Sequence, residues 1–261
     1  MLNKKHNNIY IIINDLNEQF SNKINEAVID DNPFDHLYIE NFFENNLYTK
    51  ILSNIPNVDK FQKILDTGLV GKNYSPERYI FNLQKDIIVL EQEQQDFWNK
   101  VTNAFSSPEF WKSVSTKFAH TIKERFANLS KEEKEVFGEK QIITCRIALI
   151  KDYTKYQLGA HTDTPRKLFS FLFYLPKDNS LKKIGTSLYK PIEIIKEEEV
   201  DKQFEMDETS KRFETIKTCE FKMNSVFVFA RTNYSFHGVQ EVNIDQSERN
   251  LLLVNFYGDK A

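Results

Sequence analysis

The sequence predicts a mainly β protein, a sandwich or jelly roll with a helical first half. Three observations predict it. From residue 141 onward, short apolar runs alternate with turn signals, giving about seven or eight strands and no βαβ rhythm. Residues 85–130 carry apolar residues at helical spacing instead. Forty per cent hydrophobic composition over 261 residues supports a sizeable core in one large domain. The expected organisation is a single domain over 1–261. Residues 1–140 form a mainly helical support region, and residues 141–261 form the β core with an acidic insertion at 191–217.

Taken in order, Ile9–Ile13 reads as a short strand, too short to span a bilayer or to act as a signal core. Phe97, Trp98, Val101, Ala104 and Phe105 mark one amphipathic helix. Trp111, Val114, Phe118, Ile122 and Phe126 mark the next. These aromatics are read as core. Ser107-Pro108 separates the two helices, with Ser107 as N-cap and Pro108 in the first turn. Ser130-Lys-Glu-Glu133 fits a capping box opening a short helix that ends at Gly138. Strands are expected at Gln141–Tyr153, Lys167–Leu175, Thr186–Lys190, Thr215–Phe221, Ser225–Ala230, Ser235–Val242 and Asn250–Tyr257. The acidic stretch between Pro191 and Lys217 reads as a solvated loop or short helix, placed where it would lie as a lid over a barrel mouth.

The net charge of −3 argues against a nucleic-acid partner. Two cysteines, Cys145 and Cys219, read as buried thiols, and so few argue against a disulfide framework. With no secretory signal and no run of eighteen apolar residues, the expectation is a cytoplasmic protein with no membrane partner.

The chemistry-bearing motif is His161-Thr-Asp163 with a later His237. Two imidazoles and a carboxylate are the facial ligand set of non-haem Fe(II), which leaves positions open for a co-substrate and O2. On an extended strand, residues i and i+2 share a face, so His161 and Asp163 are expected to grip one ion, with His237 arriving from a strand opposite. Arg249 opens the last strand, and an arginine inside a barrel demands an anion. Ser170, Leu172 and Tyr174 share one face of their strand. If that face is inward, the Tyr174 hydroxyl is placed to join Arg249 on a carboxylate. Gly159 and Gly238 flank the two histidines and suggest close backbone approach. Arg146 and Arg231 are candidates to meet an anionic substrate, weighed against ordinary salt bridges.

The run Asp152-Tyr-Thr-Lys-Tyr156-Gln-Leu-Gly-Ala-His161-Thr-Asp163, the strand Lys167–Tyr174, Gly185-Thr-Ser-Leu-Tyr189, His237-Gly-Val and Arg249 together resemble the 2-oxoglutarate- and Fe(II)-dependent dioxygenases, in particular the bacterial prolyl-4-hydroxylase-like branch. The segment Asn32–Phe43 is similar to the start of such enzymes. The resemblance lies mainly in residues 141–258. It implies a double-stranded β-helix with helices on one side. It further implies His161, Asp163 and His237 as catalytic iron ligands, Arg249 as the clamp on the far carboxylate of 2-oxoglutarate, Tyr174 as its hydroxyl partner and Tyr156 as pocket wall. The implied cofactors are Fe(II), 2-oxoglutarate and O2. The implied activity is hydroxylation of a C–H bond in a small-molecule or peptide substrate, with release of succinate and CO2. Two departures stand out. Leu251 replaces the small hydroxyl residue often found two positions after the arginine, and Lys155 stands where relatives often have glycine. The alternatives are a cupin-type metal-dependent isomerase or epimerase, and a non-catalytic module that binds metal and 2-oxoglutarate. Asp163 and Arg249 weigh against the first, and the intact triad against the second.

Overall fold

A computed structural model of the chain describes residues 15–72, 74–137, 141–243 and 248–260. The strand expected at Ile9–Ile13 and the helix end at Gly138 lie outside the described residues. Helix α1 covers residues 15–26. It is followed by β1 (His36–Glu40), α2 (Asn45–Ser53), β2 (Gln62–Lys63) and β3 (Arg78–Asn82). Then come α3 (Gln92–Phe105), α4 (Pro108–Lys117), α5 (Ala119–Ala127) and α6 (Lys131–Phe137). The second half runs β4 (Gln141–Asp152), β5 (Leu158–His161), β6 (Lys167–Tyr174), β7 (Thr186–Pro191), α7 (Met206–Arg212) and β8 (Phe213–Cys219). It closes with β9 (Ser225–Ala230), β10 (His237–Val239) and β11 (Arg249–Lys260).

The strands form two antiparallel sheets. The larger has the order β1-β9-β6-β11-β4-β3-β2, the smaller β5-β10-β7-β8. This is a double-stranded β-helix, with four antiparallel strands facing part of a wider sheet. Alternation along β6 and β11 divides the large sheet's two faces. Phe169, Phe171, Phe173, Leu252, Val254 and Phe256 point outward into one cluster with Trp98, Phe105, Phe110 and Val114 of the helices. Phe110 meets Phe171 at 5.4 Å between ring centroids, and Phe105 meets Phe173 at 5.1 Å. Tyr174, Leu251, Ile150 and Leu188 point inward, into the barrel. The aromatic helix residues are therefore core, as their spacing predicts.

Local chemistry sets several boundaries as expected. The Ser107 hydroxyl accepts from Phe110 N at 3.1 Å with Pro108 at the first position of α4. Ser130 and Glu133 exchange the two hydrogen bonds of a capping box at α6, each at 3.1 Å. Other boundaries differ. The helix expected across Trp111–Phe126 breaks at Phe118 into α4 and α5. Strand β8 begins at Phe213, so the acidic insertion ends sooner than residue 217. Strand β10 is confined to His237–Val239, and its register against β5 shifts between those two residues. The first half is not only helical: β1, β2 and β3 extend the large sheet at both edges. Among the described residues, no helix is long and apolar enough to cross a membrane.

Candidate metal centre

His161 closes β5 and His237 opens β10, and the two are direct cross-strand partners in the small sheet. The second histidine thus arrives from a strand lying opposite, the antiparallel neighbour of β5 in the same sheet. The ring centroids lie 4.3 Å apart. His161 Nδ1 lies 3.0 Å from Gly159 O, and His237 Nδ1 lies 3.0 Å from Ser235 O. A carbonyl can only accept, so each Nδ1 carries its hydrogen and donates. Each Nε2 keeps its lone pair, the arrangement that prepares a histidine to ligate. The close strand approach depends on Gly238: a Cβ there would stand 2.4 Å from Leu158 O and 2.8 Å from Gly159 O. At Gly159 a Cβ would stand 2.0 Å from Phe204 O of the acidic insertion.

Asp163 corrects one step of the sequence argument. It lies two residues beyond the end of β5, in a loop, so strand alternation does not position it. Lys167 Nζ donates to its Oδ1 at 2.8 Å and the Ser170 hydroxyl donates to its Oδ2 at 2.5 Å. Arg231 Nε donates to its backbone carbonyl at 3.1 Å. Arg231 is buried and also grips Glu133, Asn233 and Asp201. Arg125 shares Glu133 and donates to the carbonyls of Pro165 and Lys167. Arg231 is therefore engaged in holding the Asp163 loop, which removes it as a candidate for a substrate anion. Arg146 is different: it is exposed, with its guanidinium 4.6 Å from the centroid of Tyr257.

The three ligand atoms of His161, Asp163 and His237 lie within 4.8 Å of one another. Burial, reinforced by His237, pushes His161 down to about 3, and burial lowers His237 as well. Both imidazoles are neutral at physiological pH. Burial alone would raise the Asp163 carboxyl, but the Lys167 ammonium beside it outweighs burial and holds it below the ordinary carboxylate range. Two neutral imidazoles and one carboxylate, with free Nε2 atoms, suit a divalent ion of the Fe(II) class. Zn(II) would also fit such a donor set.

The cluster opens into a cavity of about 450 Å³ whose walls include Tyr74, Arg78, Tyr156, Lys167 and Thr186. Tyr156 is wholly buried and forms part of the wall. Arg249 is also wholly buried. Its Nη1 donates to Asp152 Oδ2 at 2.7 Å and its Nε to Ile184 O at 2.7 Å, while Nη2 has no partner. The Tyr174 hydroxyl makes no hydrogen bond to it; it donates to Thr186 Oγ1 at 2.8 Å, and the Tyr174 ring centroid sits 5.8 Å from the guanidinium carbon. Tyr174 thus reaches the cavity through Thr186. Burial pushes the phenols of Tyr156 and Tyr174 up, so both stay protonated at physiological pH.

The acidic insertion packs on the free edge of β5. Phe204 N donates to Ala160 O at 2.9 Å, Ala160 N to Thr209 Oγ1 at 2.8 Å, and Thr162 Oγ1 to Val200 O at 2.7 Å. Asp201 and Gln203 reach the cavity. Sequence reasoning missed Arg78, Asp152 and Lys167. A signal existed for Asp152: with Ile150 inward on β4, alternation places Asp152 inward too, opposite Arg249.

No family model and no curated protein matches the sequence. Solved structures do. A prolyl hydroxylase of Trichoplax adhaerens, in complex with a hypoxia inducible factor oxygen degradation domain peptide, superposes with a TM-score of 0.50 at 12% identity, covering 94% of this chain and 90% of its own. A Pseudomonas putida prolyl-4-hydroxylase has a TM-score of 0.48 at 9% identity, covering 94% of this chain and 99% of its own. A 2OG-Fe(II) oxygenase family oxidoreductase of Burkholderia pseudomallei has a TM-score of 0.47 at 10% identity, covering 85% and 84%. The chain thus shares the double-stranded β-helix fold of the Trichoplax prolyl hydroxylase.

Proposed function

We propose that the protein is a 2-oxoglutarate- and Fe(II)-dependent dioxygenase that hydroxylates a C–H bond of a small-molecule or peptide substrate, with release of succinate and CO2. The observation that carries this reading is the convergence of His161, Asp163 and His237 on one point at the wall of an internal cavity. Fe(II) and 2-oxoglutarate, when bound there, supply the oxidising chemistry with O2.

The chain's own residues prepare that chemistry. Gly159 O and Ser235 O orient the imidazoles, and Lys167 and Ser170 orient the carboxylate. A carboxylate as third ligand leaves that position unavailable to a halide, which favours hydroxylation. The Nη2 of Arg249, buried and unpartnered, offers donors for the far carboxylate of 2-oxoglutarate. Tyr156, Leu158 and Val239 supply an apolar and aromatic part of the cavity wall against which a substrate carbon can pack.

Anaerobic titration of Fe(II)-loaded protein with 2-oxoglutarate tests the proposal. A weak visible charge-transfer band is expected, and it should be lost in Arg249→Ala. Good iron loading with no band would overturn the dioxygenase reading in favour of an isomerase or a binding module.

A further inference from the structure

Three charged residues stand abreast on neighbouring strands of the large sheet. Arg78 of β3 pairs in register with Asp152 of β4, and Asp152 pairs with Arg249 of β11. Arg78 grips Asp152 with two hydrogen bonds, Nε to Oδ1 at 2.6 Å and Nη2 to Oδ2 at 2.9 Å. Arg249 Nη1 donates to the same Oδ2 at 2.7 Å. The two guanidinium groups therefore share one carboxylate oxygen. The side chains are 10%, 0% and 0% exposed.

Two cations and one anion leave one positive charge buried without a counterion among the described residues. A buried, uncompensated charge is costly. The donor count agrees. An arginine carries five N–H groups. Arg249 commits one each to Asp152 and Ile184 O, and its Nη2 has no acceptor. Arg78 commits two to Asp152 and one to the Tyr74 hydroxyl at 3.0 Å. N–H groups thus remain on both guanidiniums. Of the two arginines, Arg78 is the one that lines the cavity holding His161, Asp163 and His237. It is fixed there with its guanidinium carbon 4.2 Å from the centroid of Tyr156.

We propose that Arg78 is a second binding residue for the far carboxylate of the co-substrate, so that the clamp is an arginine pair divided by Asp152. The inference rests on the dioxygenase reading above and adds a residue from outside the double-stranded β-helix. Asp152 lets two guanidiniums stand close without repulsion. It also sets their net charge at +1, which matches one carboxylate and favours an α-keto acid bearing a second carboxylate. Arg78 arrives on β3, so the helical half supplies part of the co-substrate pocket.

The test compares two keto acids under anaerobic conditions on Ni(II)-loaded protein by calorimetry. 2-Oxoglutarate carries the far carboxylate, and 2-oxobutyrate lacks it. Wild type should prefer 2-oxoglutarate. Arg78→Met should weaken 2-oxoglutarate by about 10- to 100-fold and leave 2-oxobutyrate unchanged. Arg78→Lys keeps the charge but not the two-pronged geometry, so part of the 2-oxoglutarate affinity should return. If Arg78→Met fails to fold, Arg78→Lys carries the comparison, with selective weakening of 2-oxoglutarate as the supporting result. Equal weakening of both keto acids, or no change in either, would overturn the role of Arg78. A wild-type protein that binds 2-oxoglutarate no better than 2-oxobutyrate would instead overturn the co-substrate assignment itself.

Discussion

Replacing Gly238 with alanine tests whether backbone contact holds the two imidazoles together. The new Cβ would stand 2.4 Å from Leu158 O and 2.8 Å from Gly159 O on β5, with Tyr189 Cε2 of β7 at 3.0 Å on another side. Ordinary carbon–oxygen contact begins at about 3.3 Å, so β5 and β10 must part by about 1 Å at this point. The neighbouring pair is His237 and His161, whose Nε2 atoms would separate with their strands. A displacement of about 1 Å is large against the tolerance of a ligand set, and disturbing ligand orientation costs about 10- to 100-fold in metal affinity. The forced contact should also cost about 1–3 kcal/mol of stability. Calorimetric titration with Ni(II), a redox-stable substitute for Fe(II), would read the first effect, and urea unfolding the second. Gly71→Ala is the control, because a Cβ there meets nothing within 4 Å. Unchanged Ni(II) affinity in Gly238→Ala would refute the argument that strand separation sets the ligand geometry.

Two further outcomes follow from the same physical reasoning. Arg231→Met removes the buried partner of Glu133 and Asp201 and the donor to Asp163 O, and should destabilise the fold by about 3–5 kcal/mol in urea unfolding; a loss below about 1 kcal/mol would show that the network is not what holds the Asp163 loop. Of the two cysteines expected to be buried, Cys219 is and Cys145 is half-buried; desolvation pushes both thiols up to about 12, so Cys219 should not react with a disulfide reagent at pH 8 until the chain is unfolded, and fast labelling of Cys219 in the native protein would contradict its burial.

Much of the scaffold was legible because its signals are local. The Ser107 cap, the Ser130–Glu133 box and the inward and outward faces of β6 are each set within a few residues. Strands β1 and β3 were missed because each is five residues long and gains its place by pairing with a strand far away in sequence, β1 with β9 and β3 with the end of β4. Lys155 shows a different limit. The sequence substitutes lysine where a glycine is common, yet the backbone keeps the left-handed conformation at φ 74°, held by Lys155 N donating to Val242 O at 2.8 Å. A distant contact overrides the local preference, and no window of sequence around Lys155 contains Val242.

The site was legible to a different degree at each ligand, for a reason of the same kind. His161 and His237 followed from extended-strand geometry, as neighbours in one sheet. Asp163 was assigned to the metal for a reason that the structure replaces: alternation ends at His161, and the carboxylate is aimed by Lys167, Ser170 and Arg231 instead. Arg249 was identified because a charge on an inward face needs an anion. Asp152 on the next strand supplies that anion without completing it. If Asp152 alone were the answer, one arginine would suffice and no guanidinium nitrogen would be orphaned. The presence of Arg78 on the same carboxylate turns the balance positive again. A fold that needed only a neutral ion pair there would have no use for the second arginine, whereas a pocket that must take a carboxylate and release its product has one.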